Sequence, residues 1–151
     1  MSKNFIKDYF NQTSNIISGL SEFENQIMLF AESIYKRKGK NKILVVGNGG
    51  SSADADHFAG ELICTYSSRT RGAHSAISLS ASTPGLTAWG NDFGFETFFE
   101  RQVKAHGRDG DLLVCISTGG GDVKSRASMN VVYAAIEAKK LGIEIISLIG
   151  K

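Results

Sequence analysis

The most restrictive feature of this sequence is a set of short, mostly apolar runs that alternate with helical patterns. The runs occupy residues 43–46, 75–79, 112–116 and 144–149. A short continuous apolar run is typical of a strand that is buried on both faces, as in a parallel sheet. Apolar residues at helical spacing fill the segments between the runs. We therefore predict an α/β fold, a three-layer sandwich in which helices cover both faces of a parallel sheet.

The first 38 residues carry a helical pattern without a strand. Apolar residues recur there at spacings of three to five, with a break near residues 18–21. We predict that residues 1–38 form a helical pair and that residues 39–151 form the globular domain. The apolar faces of the pair have two candidate partners, the domain itself and other subunits, and we expect both to be used.

Composition and charge exclude several classes of protein. The chain has 151 residues and a formal net charge of +2, whereas nucleic-acid binders usually concentrate basic residues on one face. We interpret the basic residues of segment 36–42 as a solvated helix end, and Cys64 and Cys115 as core residues rather than a disulfide framework. No stretch approaches the roughly 20 apolar residues of a membrane helix, and residues 1–7 lack the apolar centre of a signal peptide. We expect a cytoplasmic protein without nucleic-acid or membrane partners.

A glycine- and serine-rich motif follows the first predicted strand. Residues 47–54 read Gly-Asn-Gly-Gly-Ser-Ser-Ala-Asp and lead directly into a predicted helix. Glycines let the backbone approach an anion, and a helix N terminus offers unpaired N–H groups and partial positive charge. The spacing fits neither a Walker loop nor a dinucleotide fingerprint. The motif is either an anion-binding turn or an ordinary strand-to-helix turn with a serine cap.

A second such loop favours the anion-binding interpretation. Residues 117–121 read Ser-Thr-Gly-Gly-Gly and follow another apolar run. Ligands of parallel sheets bind beyond the carboxyl ends of the strands, so the two loops predict one anion held from both sides. A phosphate monoester fits better than a nucleotide, because no acidic residue is placed to bind a ribose.

Two further features carry polar side chains suited to a site. His57 and Glu61 lie four residues apart, which places them on one helix face. They could share a metal ion, transfer protons, or form a purely structural pair. Residues 90–95, Gly-Asn-Asp-Phe-Gly-Phe, are interpreted as a shaped loop, with a plain turn as the alternative.

Together these motifs resemble one family. Residues 47–62, 90–95 and 116–118 are similar to those of the sedoheptulose 7-phosphate isomerases, or phosphoheptose isomerases, which contain a sugar-isomerase (SIS) domain. The resemblance implies a flavodoxin-like SIS fold, a homotetramer and a bound zinc ion. It also implies an aldose–ketose isomerase that converts sedoheptulose 7-phosphate to D-glycero-D-manno-heptose 7-phosphate. That reaction opens the route to nucleotide-activated heptose for lipopolysaccharide or capsule.

The resemblance assigns roles to particular residues. Glu61 is implied as the catalytic residue and, with His57, as a zinc ligand. The residues implied in substrate binding are Asn48, Gly49, Gly50, Ser51, Glu61, Asn91, Asp92, Ser117, Thr118, Gly119 and Ser128. Ser51 is expected at the phosphate, and Gly119 stands where the family usually has serine.

Two departures from the family accompany the resemblance. Segment 119–127 is longer than the family's usual Ser-Gly-Asn, and its Lys124 and Arg126 are either phosphate contacts or solvated. The family's further strand and final helix, with a Gln and a His of the active site, have no counterpart in residues 1–151.

The alternative function is a non-catalytic SIS-domain protein. Such a protein would bind a phosphosugar or associate with a replication initiator, and the latter relative lacks a glutamate at the position of Glu61. The presence of Glu61 therefore favours the enzyme.

Overall fold

The computed structural model of the chain describes residues 3–66 and 68–150. The chain divides into two compact units, Met1–Ser33 and Ile34–Lys151. Helix α1 (Lys3–Gly19) is followed by a 3₁₀ turn (Leu20–Phe23) and by helix α2 (Glu24–Tyr35). The predicted break near residues 18–21 coincides with this turn. Within the described ranges, no helix is long and apolar enough to cross a membrane.

The second unit alternates strands with helices along the chain. Its strands and α-helices are β1 (Ile43–Gly47), α3 (Gly50–Ile63), β2 (Ala76–Ser78), α4 (Thr83–Phe93), α5 (Phe98–His106), β3 (Leu112–Ser117), α6 (Met129–Lys140) and β4 (Glu144–Ile149). A short 3₁₀ helix (Phe95–Thr97) lies between α4 and α5. The four strands form one sheet in the order β2-β1-β3-β4, and every pair is parallel. The prediction of an α/β fold with a parallel sheet is confirmed.

The core lies along the two central strands. All five residues of β1 are buried, as are the first four of β3. Cys115 is 3% exposed, so its predicted core position is confirmed, and this burial raises the pKa of its thiol to about 12. The prediction for Cys64 is wrong, because this residue is exposed just beyond the end of α3.

The basic segment 36–42 is only partly solvated, so its interpretation as a solvated helix end is wrong for two residues. Arg37 is 7% exposed and donates a 2.8 Å hydrogen bond to the Glu144 carboxylate. Lys42 donates a 2.6 Å hydrogen bond to the buried Asp111 carboxylate. These ion pairs join the chain before β1 to the beginnings of β3 and β4.

Helix α4 is longer than expected. The sequence predicts a helix over residues 83–88, but the helix continues to Phe93 and stops before Gly94, whose φ is 88°. The interpretation of residues 90–95 as a loop is therefore wrong for its first four residues. The Gly94 backbone explains the true end, since a positive φ is readily adopted by glycine.

Candidate active site

Sheet register brings the two glycine-rich loops together. The parallel pairing of β1 with β3 places Gly47 beside Ile116. The first loop begins at Asn48 and the second begins around Ser117, so both leave the same edge of the sheet from neighbouring strands. This is the edge at which ligands of parallel sheets bind.

Gly47 allows the first loop to fold tightly. A Cβ atom at this position would lie 2.3 Å from the backbone oxygen of Ser51, which is impossible without a shift of the backbone. Gly49 has a φ of 55°, and helix α3 begins at Gly50. The loop therefore places the N terminus of α3, with its partial positive charge, directly beyond β1.

A pair of amides ties the first loop to the start of α6. The Asn48 amide nitrogen donates to the Asn130 side-chain oxygen at 2.9 Å, and Asn130 donates back to Asn48 at 2.8 Å. Asn130 is 2% exposed, and its oxygen also accepts the backbone N–H of Val131 at 3.0 Å. Asn130 is absent from the predicted site, although it lies only two residues after the predicted Ser128.

The second loop does not lead straight into a helix. The Ser117 hydroxyl accepts the Gly120 N–H at 3.1 Å, and Thr118 and Gly119 are exposed. Residues 122–127 then form a turn, and α6 starts only at Met129. Ser128, half-buried, is the residue that immediately precedes this helix.

A small cavity of about 80 Å³ lies beside the first loop. Its lining residues are Gly47, Asn48, Gly49, Ser52, Ser80, Leu86, Phe95 and Phe99. Ser80 and Phe95 are absent from the predicted site. Ser80 follows the carboxyl end of β2 and donates a 3.3 Å hydrogen bond to the Gly47 carbonyl, so the strand-end rule could have identified it.

His57 and Glu61 form a pair on the open side of α3. His57 Nε2 lies 3.3 Å from Glu61 Oε1, and the side chains are 79% and 39% exposed. Neither residue is sealed in the interior. Both remain available to a ligand.

Asn91 and Asp92 are placed apart from the cavity lining. They are exposed in the last turn of α4, where Asn91 donates a 2.8 Å hydrogen bond to the Asp92 carboxylate. Among the described residues, the lining of the small cavity includes neither of them.

The donors near α3 could supply part of a zinc site. Two ligands bound at about 2.0–2.1 Å to a tetrahedral ion lie about 3.3 Å apart, which fits the His57–Glu61 separation of 3.3 Å. An ordinary ion pair has the same spacing. Over residues 3–66 and 68–150, no group of three or more His, Cys, Asp or Glu is arranged to hold a metal ion.

Comparison with known proteins identifies relatives of this chain. Residues 8–150 match the SIS domain family. A phosphoheptose isomerase of Campylobacter concisus (strain 13826) is 40% identical over 151 residues, which are 100% of this chain and 75% of that protein.

Among solved structures, two phosphoheptose isomerases superpose on this chain. A phosphoheptose isomerase from Francisella tularensis superposes with a TM-score of 0.88 at 30% identity, covering 99% of this chain and 76% of the other. The phosphoheptose isomerase of Neisseria gonorrhoeae gives a TM-score of 0.85 at 34% identity, with coverage of 97% and 74%.

Proposed function

The chain belongs to the SIS-domain family of phosphoheptose isomerases, and on this basis we propose how its residues isomerise a sugar phosphate. The enzyme interconverts sedoheptulose 7-phosphate and D-glycero-D-manno-heptose 7-phosphate, an aldose–ketose isomerisation. The observation that carries the proposal is the meeting of two glycine-rich loops at one sheet edge, with the His57–Glu61 pair on the helix that leaves the first loop. The product supplies nucleotide-activated heptose for lipopolysaccharide or capsule.

The loops hold the phosphate end of the substrate. The Ser51 hydroxyl donates a hydrogen bond to a phosphate oxygen at the N terminus of α3, where the helix dipole favours an anion. Ser117, Thr118 and Ser128 contribute from the second loop and the start of α6. Backbone N–H groups of the glycine residues complete the pocket. Binding energy from this unreacting phosphate positions the sugar carbons.

Glu61 moves the proton. Isomerisation of the ketose removes a proton from C1, passes through an enediol, and returns a proton to C2. A carboxylate that reaches both carbons serves as the base in the first step and, once protonated, as the acid in the second. Glu61 is 39% exposed and lies on the open side of α3, so its carboxylate is accessible to a substrate anchored at Ser51. Asn91 and Asp92 contact the substrate in this proposal.

His57 and Glu61 would hold the zinc ion of the family, together with ligands from outside the described residues. When bound, zinc would stabilise negative charge that develops on the substrate oxygens. The separation of the two donors supports this assignment. Calorimetric titration should show a lower affinity for zinc in His57→Ala than in the wild type. His106→Ala is the control and should keep the wild-type affinity, because His106 is an exposed residue at the end of α5. Equal affinities in both variants would remove His57 from the site.

Assembly and location complete the proposal. Helix α1 carries apolar side chains that are more than half exposed, among them Phe5, Ile6 and Phe10. An exposed apolar patch of this kind marks a protein-interaction surface. This supports subunit contacts through the N-terminal helices, and we propose that the assembly is a homotetramer in the cytoplasm.

The test is turnover of sedoheptulose 7-phosphate by the wild type and by Glu61→Gln. The glutamine keeps the shape of the side chain but cannot accept the proton, so kcat should fall by about 100-fold or more. Glu22→Gln, a change at an exposed carboxylate of the 3₁₀ turn, serves as the control and should keep its rate. Full activity of Glu61→Gln would remove Glu61 from the mechanism.

A further inference from the structure

Residues 119–127 lead from the second glycine-rich loop towards α6. We name this segment the 119–127 loop. Within it, the Asp122 N–H donates to the Ala127 carbonyl at 3.0 Å. The Asp122 carboxylate accepts the Lys124 N–H at 2.9 Å and the Ser125 hydroxyl at 2.7 Å. These bonds give the loop a defined shape of its own.

A two-point ion pair fastens this loop to another part of the site. Arg126 Nε donates to one carboxylate oxygen of Glu96 at 3.1 Å, and a terminal guanidinium nitrogen donates to the other oxygen. Such bidentate pairs fix orientation as well as distance. Glu96 lies in the 3₁₀ helix Phe95–Thr97 that follows α4.

The contacts of segment 126–130 lead to residues that line the small cavity or lie next to its lining. Phe95, the neighbour of Glu96, lines that cavity together with Asn48. Four residues beyond Arg126, Asn130 is bonded to the same Asn48. The chain from Arg126 to Asn130 is therefore anchored at one end to Asn48, which lines the cavity, and at the other to Glu96, whose neighbour Phe95 lines it. Ser128 lies between the two anchors.

The backbone between the anchors is strained. Arg126 has a φ of 58° and Ser128 has a φ of 54°, values that residues other than glycine rarely adopt. Such conformations persist only where surrounding contacts hold them, and they cluster at functional sites. The Arg126–Glu96 pair and the Asn130–Asn48 pair are two such contacts, one at each end.

We propose that the Arg126–Glu96 pair is a latch that sets the position of Ser128 for the phosphate end of the substrate. Arg126 is then a positioning residue that acts through Ser128, rather than a cation that binds the phosphate. The inference rests on the proposed function, since it assumes that Ser128 contacts a sugar phosphate.

Lys124 offers a matched control in the same loop. Over the part of the chain that the structure describes, its ammonium group makes no ion pair. Lys124→Gln and Arg126→Gln each remove one positive charge from the loop, but only the second opens the latch. A general electrostatic effect would appear in both variants, and a latch effect in one.

The experiment is steady-state kinetics with sedoheptulose 7-phosphate. Arg126→Gln and Glu96→Gln should each raise KM by about 3- to 10-fold and leave kcat within about 2-fold, because an exposed pair has a modest effect and Ser128 contacts only the remote phosphate. Lys124→Gln should leave both constants unchanged. The charge swap Glu96→Arg with Arg126→Glu should recover most of the wild-type KM, which a loss of general packing would not allow.

Amide hydrogen exchange over residues 121–127 gives a second measurement. Exchange should become faster in Arg126→Gln than in Lys124→Gln. Wild-type turnover with an unchanged KM in Arg126→Gln would overturn the latch alone, as would equal effects of Arg126→Gln and Lys124→Gln. Wild-type protein that neither turns over nor binds the sugar phosphate would overturn the proposed function, and the latch with it.

Discussion

At the scale of single residues, Asp111 shows how strongly one buried charge can depend on its partners. The residue is 1% exposed and accepts hydrogen bonds from the Lys42 backbone, the Lys42 ammonium and the Arg108 backbone. Burial alone would raise the pKa of this carboxyl group, but the bonds to Lys42 and Arg108 lower it below its ordinary value. The ionised form is therefore the one that stabilises the fold.

Asp111→Asn should lower the free energy of unfolding by about 2–4 kcal/mol near neutral pH, because Lys42 loses its buried partner. Since the folded pKa is depressed, the contribution of Asp111 is complete above the unfolded pKa of about 4 and disappears as pH falls through the lower folded value. Urea unfolding of wild type and variant should show a constant gap from pH 6 to 8 that narrows below about pH 4. A gap of equal size at pH 7 and pH 3 would contradict this account.

At the scale of secondary structure, most elements follow from pattern, and the misses have specific causes. The apolar run 144–149 forms β4 as predicted, because a continuous apolar run is a clear local signal. The helix predicted over residues 83–88 is shorter than α4, because the helix continues through Gly90 and ends before Gly94. A glycine is tolerated within a helix at a cost of about 1 kcal/mol, so local sequence cannot distinguish the two positions.

The candidate site, too, was predictable from local sequence only in part. Both glycine-rich loops were predictable, because each follows an apolar run and the strands proved to be neighbours. The Asn48–Asn130 pair and the Arg126–Glu96 pair were not, since they join residues far apart in sequence. The spacing of residues along the chain gives no sign of such contacts, because only the fold brings the partner residues together.

The Asn48–Asn130 pair should couple the first loop to α6 energetically. Asn48→Ala and Asn130→Ala should each reduce the free energy of unfolding by about 1–3 kcal/mol, because each leaves a polar partner unsatisfied. The double variant should lose less than the sum, with a coupling of about 0.5–3 kcal/mol. Chemical denaturation of the four proteins measures this cycle. Strictly additive losses would show that the two amides act independently.

At the scale of the whole molecule, the N-terminal helix carries the surface proposed for assembly. Phe10 of α1 is 65% exposed, and helical spacing places it with Ile6 and Ile17 on one face. Apolar side chains that remain exposed in an isolated chain are candidates for burial between subunits.

In the proposed tetramer, Phe10→Asp should shift the protein towards smaller species, since a carboxylate would be buried without a partner. Asn11→Asp adds the same charge at an exposed neighbouring position and should leave assembly unchanged. Light scattering after gel filtration gives the mass of each species. A wild-type monomer, or equal masses for wild type and Phe10→Asp, would refute the role of this face.

In the proposed site, two strand-end loops hold one phosphoryl group. Calorimetric titration of sedoheptulose 7-phosphate into wild type, Ser51→Ala, Thr118→Ala and the double variant measures whether they do. Each single change removes a hydrogen bond to a charged group, which corresponds to about 1.5–3 kcal/mol. If both hydroxyls bind the same phosphate, the double variant should differ from the sum by about 0.5 kcal/mol or more. Additive losses, or a variant that binds as tightly as wild type, would show that the loops serve separate sites.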